Sequence, residues 1–194
     1  MKSWTTIRKI APFALTCALC LLLAGCVSSQ DDQSAQDHQS EQEKAEGYYW
    51  YEAVFLDKED VEAAFGSVAE DFPKFETVPQ EFHVTTEFKP DPRHADLYGS
   101  PVTVHITGYT YGSVPDPEEG VVSDNEGFLV EISSPDDRMQ QFLDGIDKKW
   151  HITGSYTIGG KYTEQLDFSD ATPVDVTLTG VFGLGDSDGT ITFE

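Results

Sequence analysis

Polar and apolar residues alternate most regularly in three stretches of this chain. In "EFHVTTEFK" (81–89), Phe82, Val84 and Phe88 fall on one side and His83, Thr85 and Glu87 on the other. In "PVTVHITGYTYG" (101–112), Val102, Val104 and Ile106 oppose Thr103, His105 and Thr107. In "WHITGSYTI" (150–158), Trp150, Ile152, Tyr156 and Ile158 oppose His151, Thr153, Ser155 and Thr157. A period of two marks a strand with one buried face. "YYWYEAVFL" (48–56), "GFLVEI" (127–132), "PVDVTLTGVFGLG" (173–185) and "GTITFE" (189–194) also read as strands.

Two segments keep a helical period instead. In "DKEDVEAAFGSV" (57–68), Asp57 is placed to cap a helix whose Val61, Ala64, Phe65 and Val68 share a face. In 136–149, Met139, Phe142, Leu143 and Ile146 do the same. Pro73 and Pro79 break the stretch before 81, and an acidic Pro/Gly loop is expected over 113–124. These elements predict an α+β domain, rich in antiparallel strands, with a helix in each half.

The start of the chain follows a different pattern. Lys2, Arg8 and Lys9 precede an apolar run from Ile10 to Leu23. That run is shorter than the roughly 20 residues of a membrane span and reads as a signal peptide over 1–25. It closes on "LAGC" (23–26), which resembles the lipobox of bacterial lipoproteins. The resemblance implies that Cys26 is acylated and becomes the first mature residue, tying the protein to the extracytoplasmic face of the cell membrane. Cys17 and Cys20 fall in the discarded segment, so no disulfide is expected. With Cys26, residues 27–46 are an acidic, Gln/Ser-rich tether that cannot bury enough surface to fold; it includes His38 and would reach roughly 25 Å. The folded domain is therefore expected over 47–194.

Charge narrows the partners. The chain carries 12 basic and 35 acidic residues, a net charge of −23. Without Lys2, Arg8 and Lys9 the mature protein has 9 basic residues and a net charge of −26. Such a surface repels long polyanions, so long nucleic acid is not an expected partner.

An internal repeat singles out two of the histidines. Segments 101–112 and 173–185 share Pro-Val-x-Val-x-x-Thr-Gly, and each follows a His-x-Thr strand. In this register His83 pairs with His151, Thr85 with Thr153, and His105 with Thr177. Residues i and i+2 on a strand point the same way, so each half offers an imidazole beside a hydroxyl. The literal repeat of "HITG" at 105–108 and 151–154 is the less informative match. A zinc site from His83, His105 and His151 lacks the usual ligand spacing, and no metal or other cofactor is expected. Ser155 has no His/Asp companion suited to a serine nucleophile.

The paired motifs, with "FHVTTEFKP" (82–90), "ITGY" (106–109), "NEGFLV" (125–130) and "HITGSYTIGGK" (151–161), resemble the two-histidine (2H) phosphoesterase superfamily. Within it the likeness runs to the cyclic phosphodiesterase domain of fungal tRNA ligases and related RNA-repair proteins. It implies a duplicated bilobal fold, with two β-rich lobes related by a pseudo-twofold about a central groove. It also implies a metal-independent hydrolase of 2′,3′-cyclic phosphates on nucleotides or short RNA ends, leaving a 2′-phosphate. His83 and His151 would then share acid and base duties, while Thr85 and Thr153 donate to phosphoryl oxygens. Lys89 and Lys161, which follow the two motifs, are candidates for phosphate contacts. Tyr156, with Tyr49 and Tyr109, is a candidate for stacking on a base. The alternative is a non-catalytic binding lipoprotein that holds a nucleotide-like ligand or a protein partner in the same groove. A monomer is expected in either case.

Overall fold

The structure is a computed structural model that describes residues 49–115, 120–157 and 163–194. The expected signal segment and tether, with Cys26, and also Ile158 and Lys161, lie outside the described residues. Among the described residues, no helix is long and apolar enough to cross a membrane.

The strands are β1 (Trp50–Leu56), β2 (His83–Phe88), β3 (Pro101–Pro115), β4 (Val122–Ser133), β5 (His151–Tyr156), β6 (Thr172–Asp186) and β7 (Ile191–Thr192). The helices are α1 (Lys58–Val68) and α2 (Asp137–Asp144), and 3-10 turns occupy Ala95–Leu97 and Thr163–Gln165. The α+β reading therefore holds, with every strand pair antiparallel. One sheet runs β2-β1-β6-β3-β4-β5, with β7 added beside β6. The order strand, helix, strand, 3-10 turn, strand occurs twice, from β1 to β3 and from β4 to β6. At the middle of the β3–β6 pair, His105 and Thr177 are direct cross-strand partners.

Both helices start on an aspartate whose side chain accepts from two first-turn N–H groups: Asp57 from Glu59 and Asp60, and Asp136 from Arg138 and Met139. Such caps are worth about 1 kcal/mol each. α2 stops at Asp144 before Gly145, shorter than the 136–149 that the apolar spacing predicts. Both helices pack on one face of the sheet. Val61, Ala64 and Phe65 of α1, with Met139 and Leu143 of α2, join Val54, Val84, Val104, Ile106, Phe128, Ile152 and Phe182 in the main core. Phe65 lies against both Phe82 and Phe128.

Within the expected loop over 113–124, residues 113–115 and 122–124 are strand, since β3 and β4 stay paired out to Pro115 and Val122. The expected strand over 189–194 shrinks to Ile191–Thr192. A second correction concerns which way side chains point. β2 carries an extra residue at Thr86, opposite the step from Ala53 to Glu52. β5 carries one at Gly154, opposite the step from Gly127 to Glu126. Each bulge comes directly after a His-x-Thr motif and breaks the alternation there. Glu87 consequently pairs with Glu52, while Phe88 turns out to 60% exposure. Ser155 turns into the core beside Glu126.

Each bulge lies opposite a fully buried glutamate. Glu52 accepts from the His94 amide at 2.7 Å, His94 Nδ1 at 2.8 Å and the Tyr98 hydroxyl at 2.8 Å. Glu126 accepts from the Tyr109 hydroxyl at 2.7 Å, the Ser155 hydroxyl at 2.5 Å and the Lys74 amide at 3.2 Å. Burial, together with these carboxylates, raises the hydroxyl pKa of both Tyr98 and Tyr109. A buried carboxylate is tolerable only with such a full set of donors.

Candidate active site

Strands β2 and β5 stand at opposite ends of the hydrogen-bonded order, yet they touch. Two crossings join them. Thr77, in the chain leading into β2, pairs antiparallel with Tyr156 of β5. Lys148, just before β5, donates from Nζ to the Thr85 carbonyl of β2 at 3.0 Å. The sheet therefore curls round until its two edges meet.

His83 and Thr85 alternate with the buried Val84, and His151 and Thr153 alternate with the buried Ile152. All four thus lie on the sheet face opposite the helices. The two imidazoles are near enough that charge on His151 opposes protonation of His83. Their local settings match. His83 Nδ1 lies 3.3 Å from the Glu81 carbonyl, and His151 Nδ1 lies 3.3 Å from the Lys149 carbonyl. A carbonyl can only accept, so Nδ1 carries the proton in both rings. Nε2 is left as the titrating nitrogen in each neutral imidazole.

The two rings differ in depth. Tyr51 and Phe55 flank the His83 ring, at centroid distances of 4.9 and 5.8 Å. Burial pushes the His83 pKa down to about 4, and the charges of His151 and Lys148 add to the effect. His151 is also lowered, first by burial and then by Lys148 and Lys149, against the contact to the Lys149 carbonyl and the charge of Glu164. Lys148 is half-buried, and burial lowers its own pKa against the pull of Glu164.

The threonines are not equivalent. Thr153 donates from its hydroxyl to Thr163 at 3.0 Å, so turning it toward a ligand would cost that bond. His105 lies on β3 at mid-sheet, where Nε2 is 2.9 Å from Asp175 and Nδ1 is 3.9 Å from Glu131. Lys89 follows β2 on an exposed turn with φ of 52°, its ammonium over the Phe88 ring. Tyr49 packs on Phe88, and Tyr109 is buried against Glu126. Tyr156 lines a cleft of about 440 Å³ with Tyr51, Gln80, Glu81, Asp186 and Asp188. This cleft adjoins His83, because Tyr51 lies against its ring and Glu81 accepts from it.

Two of these neighbours, Tyr51 and Lys148, escape the sequence pattern. Tyr51 is one of four aromatics in 48–51, and only its contact with His83 sets it apart. Lys148 reads as the solvent-facing end of a helix. Glu52 did leave a signal, being a charge inside an otherwise apolar strand run, whereas Glu126 follows Ser123, Asp124 and Asn125 and does not stand out. Glu52, Glu87 and His94 place ligand atoms within 4.8 Å of one another. Both Glu52 oxygens there are already held by His94 and Tyr98.

Comparison with family models, with characterised proteins and with solved structures gave no match.

Proposed function

We propose that this chain is an exported, lipid-anchored phosphoesterase that opens 2′,3′-cyclic phosphates on nucleotides or short RNA ends without a metal. The observation that carries the reading is that His83 and His151 lie on touching strands, β2 and β5. They come from opposite ends of the sheet order and share one local geometry, with Nε2 as the working nitrogen in each. In this reading the fold is the duplicated two-histidine type, bilobal about a pseudo-twofold near the His105–Thr177 pair. The repeated element order, the matched bulges and the matched buried glutamates support that.

In this proposal His83 serves as the base and His151 as the acid. His83, neutral down to about pH 4, takes a proton from the attacking water at Nε2. The water oxygen bonds to phosphorus as the bond to the 3′ oxygen breaks, and His151 Nε2–H protonates that leaving oxygen. A 2′-phosphate remains. Thr85, with Thr153 once it leaves Thr163, donates to the phosphoryl oxygens as charge builds. Tyr156 and Tyr51 offer faces for the base in the adjoining cleft, whose rim of Glu81, Asp186 and Asp188 disfavours longer, more charged strands.

The test is turnover of a panel of 2′,3′-cyclic nucleotides in the presence of a chelator, followed across pH. The kcat/KM profile reports the free protein. Because both imidazoles lie below the usual value of about 6.5, the optimum should fall on the acid side of it. Binding without turnover across the panel would replace the enzyme with the binding lipoprotein. That second reading is favoured by one observation: the Thr153 hydroxyl is already engaged. The anchor is tested separately, since Cys26→Ser should abolish lipid labelling and release the protein from membranes. Unchanged membrane retention of that variant would overturn the anchor.

A further inference from the structure

Lys148 touches the first His-x-Thr motif and stands just before the second. It leaves the chain three residues before His151, crosses to β2 and donates to the carbonyl of Thr85 at 3.0 Å. It is half-buried, and its charge acts on both imidazoles. In a chain with 35 acidic residues against 12 basic ones, a half-buried ammonium would be expected to have a carboxylate beside it. Among the described residues, none lies within ion-pair distance of it. Glu164 is the acid whose field it feels, and Lys149 adds a second ammonium near His151. An ammonium has three N–H donors, and the Thr85 carbonyl takes one.

We infer that Lys148, with Nε2 of His83 and of His151, forms a binding centre for a phosphoryl anion. The inference deepens the phosphoesterase reading and rests on it for the identity of the anion as a phosphate ester. The three groups supply what such an anion needs: one fixed positive charge and two nitrogens that donate when protonated. Lys148 also explains how one site can serve both halves of the sheet, because its side chain ties β2 to the segment that starts β5. Charge-assisted bonds to phosphoryl oxygens are among the stronger ones available to a protein.

The experiment titrates the full chain with inorganic phosphate at pH 6 and again at pH 4, where Nε2 of His83 gains its proton, by calorimetry and by NMR of the imidazole resonances. Lys148→Met should bind phosphate about 10- to 100-fold more weakly, the loss expected for one charged hydrogen bond. Lys148→Arg, which keeps the charge and a donor, should recover most of the affinity. In phosphate-free protein, Lys148→Met should also raise the pKa of both His83 and His151, because the ammonium no longer opposes their protonation. A lysine that only clips β2 to β5 would not produce rescue by arginine together with those two shifts. Phosphate affinity unchanged in a Lys148→Met protein that melts like the wild type overturns the inference. Intact turnover of cyclic nucleotides by that variant also overturns it, and leaves the phosphoesterase reading standing. Lys148-dependent phosphate binding without turnover of any cyclic nucleotide supports the anion centre and removes the enzyme.

Discussion

Replacing Glu126 with alanine should be among the most damaging single changes in the domain. The carboxylate is fully buried and accepts from the Tyr109 hydroxyl, the Ser155 hydroxyl and the Lys74 amide. Alanine strands three donors, two of them buried hydroxyls. Each buried donor left unpaired costs about 1–3 kcal/mol. Part of this is regained as the hydroxyls turn to other acceptors or to water, so the net loss should be about 3–5 kcal/mol. That is a large share of the roughly 5–15 kcal/mol of a whole domain. Glu126→Gln keeps the volume and one acceptor oxygen for Ser155 and Lys74, while its amide can donate to the Tyr109 oxygen. Its cost should be near 1 kcal/mol. Urea unfolding followed by tryptophan fluorescence measures both, and the slope should not change. The damage should also reach the cleft, since Ser155 and Lys74 hold the chain that carries Thr77 against Tyr156. An alanine variant within about 0.5 kcal/mol of wild type would refute the reasoning, because that is the range of neutral surface changes.

His83 should couple stability to pH. Its folded pKa of about 4 lies below the unfolded value near 6.5, so its contribution is fully present above about 6.5 and is lost as pH falls toward 4. The loss should be on the order of 1–3 kcal/mol, and His83→Asn should flatten that part of the stability curve relative to wild type. An unchanged slope would show that His83 is not held neutral by the fold. At the second bulge, Gly154→Ala places a Cβ 2.5 Å from the Phe65 ring and 3.3 Å from Glu126. It should lower stability by about 1–3 kcal/mol by overpacking, and thermal melting at or above the wild-type temperature would contradict that.

Much of this architecture was legible because strands and caps write themselves locally. The period of two located β2, β3 and β5, and Asp57 marked the start of α1. What the pattern concealed was longer in range. A bulge adds one residue without altering composition, so the sequence alternation carries Glu87 and Ser155 onto the wrong face. The repeat register placed His83 and His151 as equivalents, and the structure sets them on two strands that touch, β2 and β5. Lys148 was invisible for a different reason. Its meaning depends on a contact with Thr85, 63 residues away, and no local periodicity records such a contact. Lys89 and Lys161 were chosen by position after the motifs; the first lies over Phe88, and the second is outside the described residues.

The central claim is that His83 and His151 act on one phosphate. The most direct test is a double-mutant comparison of kcat/KM on a 2′,3′-cyclic nucleotide, with a chelator present throughout. His83→Ala and His151→Ala should each lose about 10²–10⁴-fold, the usual worth of a general acid or base. The double variant should be scarcely worse than the weaker single one, because the two groups act as a unit. His105→Ala, whose ring sits at mid-sheet beside Asp175, should stay near wild type. Losses that simply multiply, or activity that dies with His105 and survives without His83, would contradict the account.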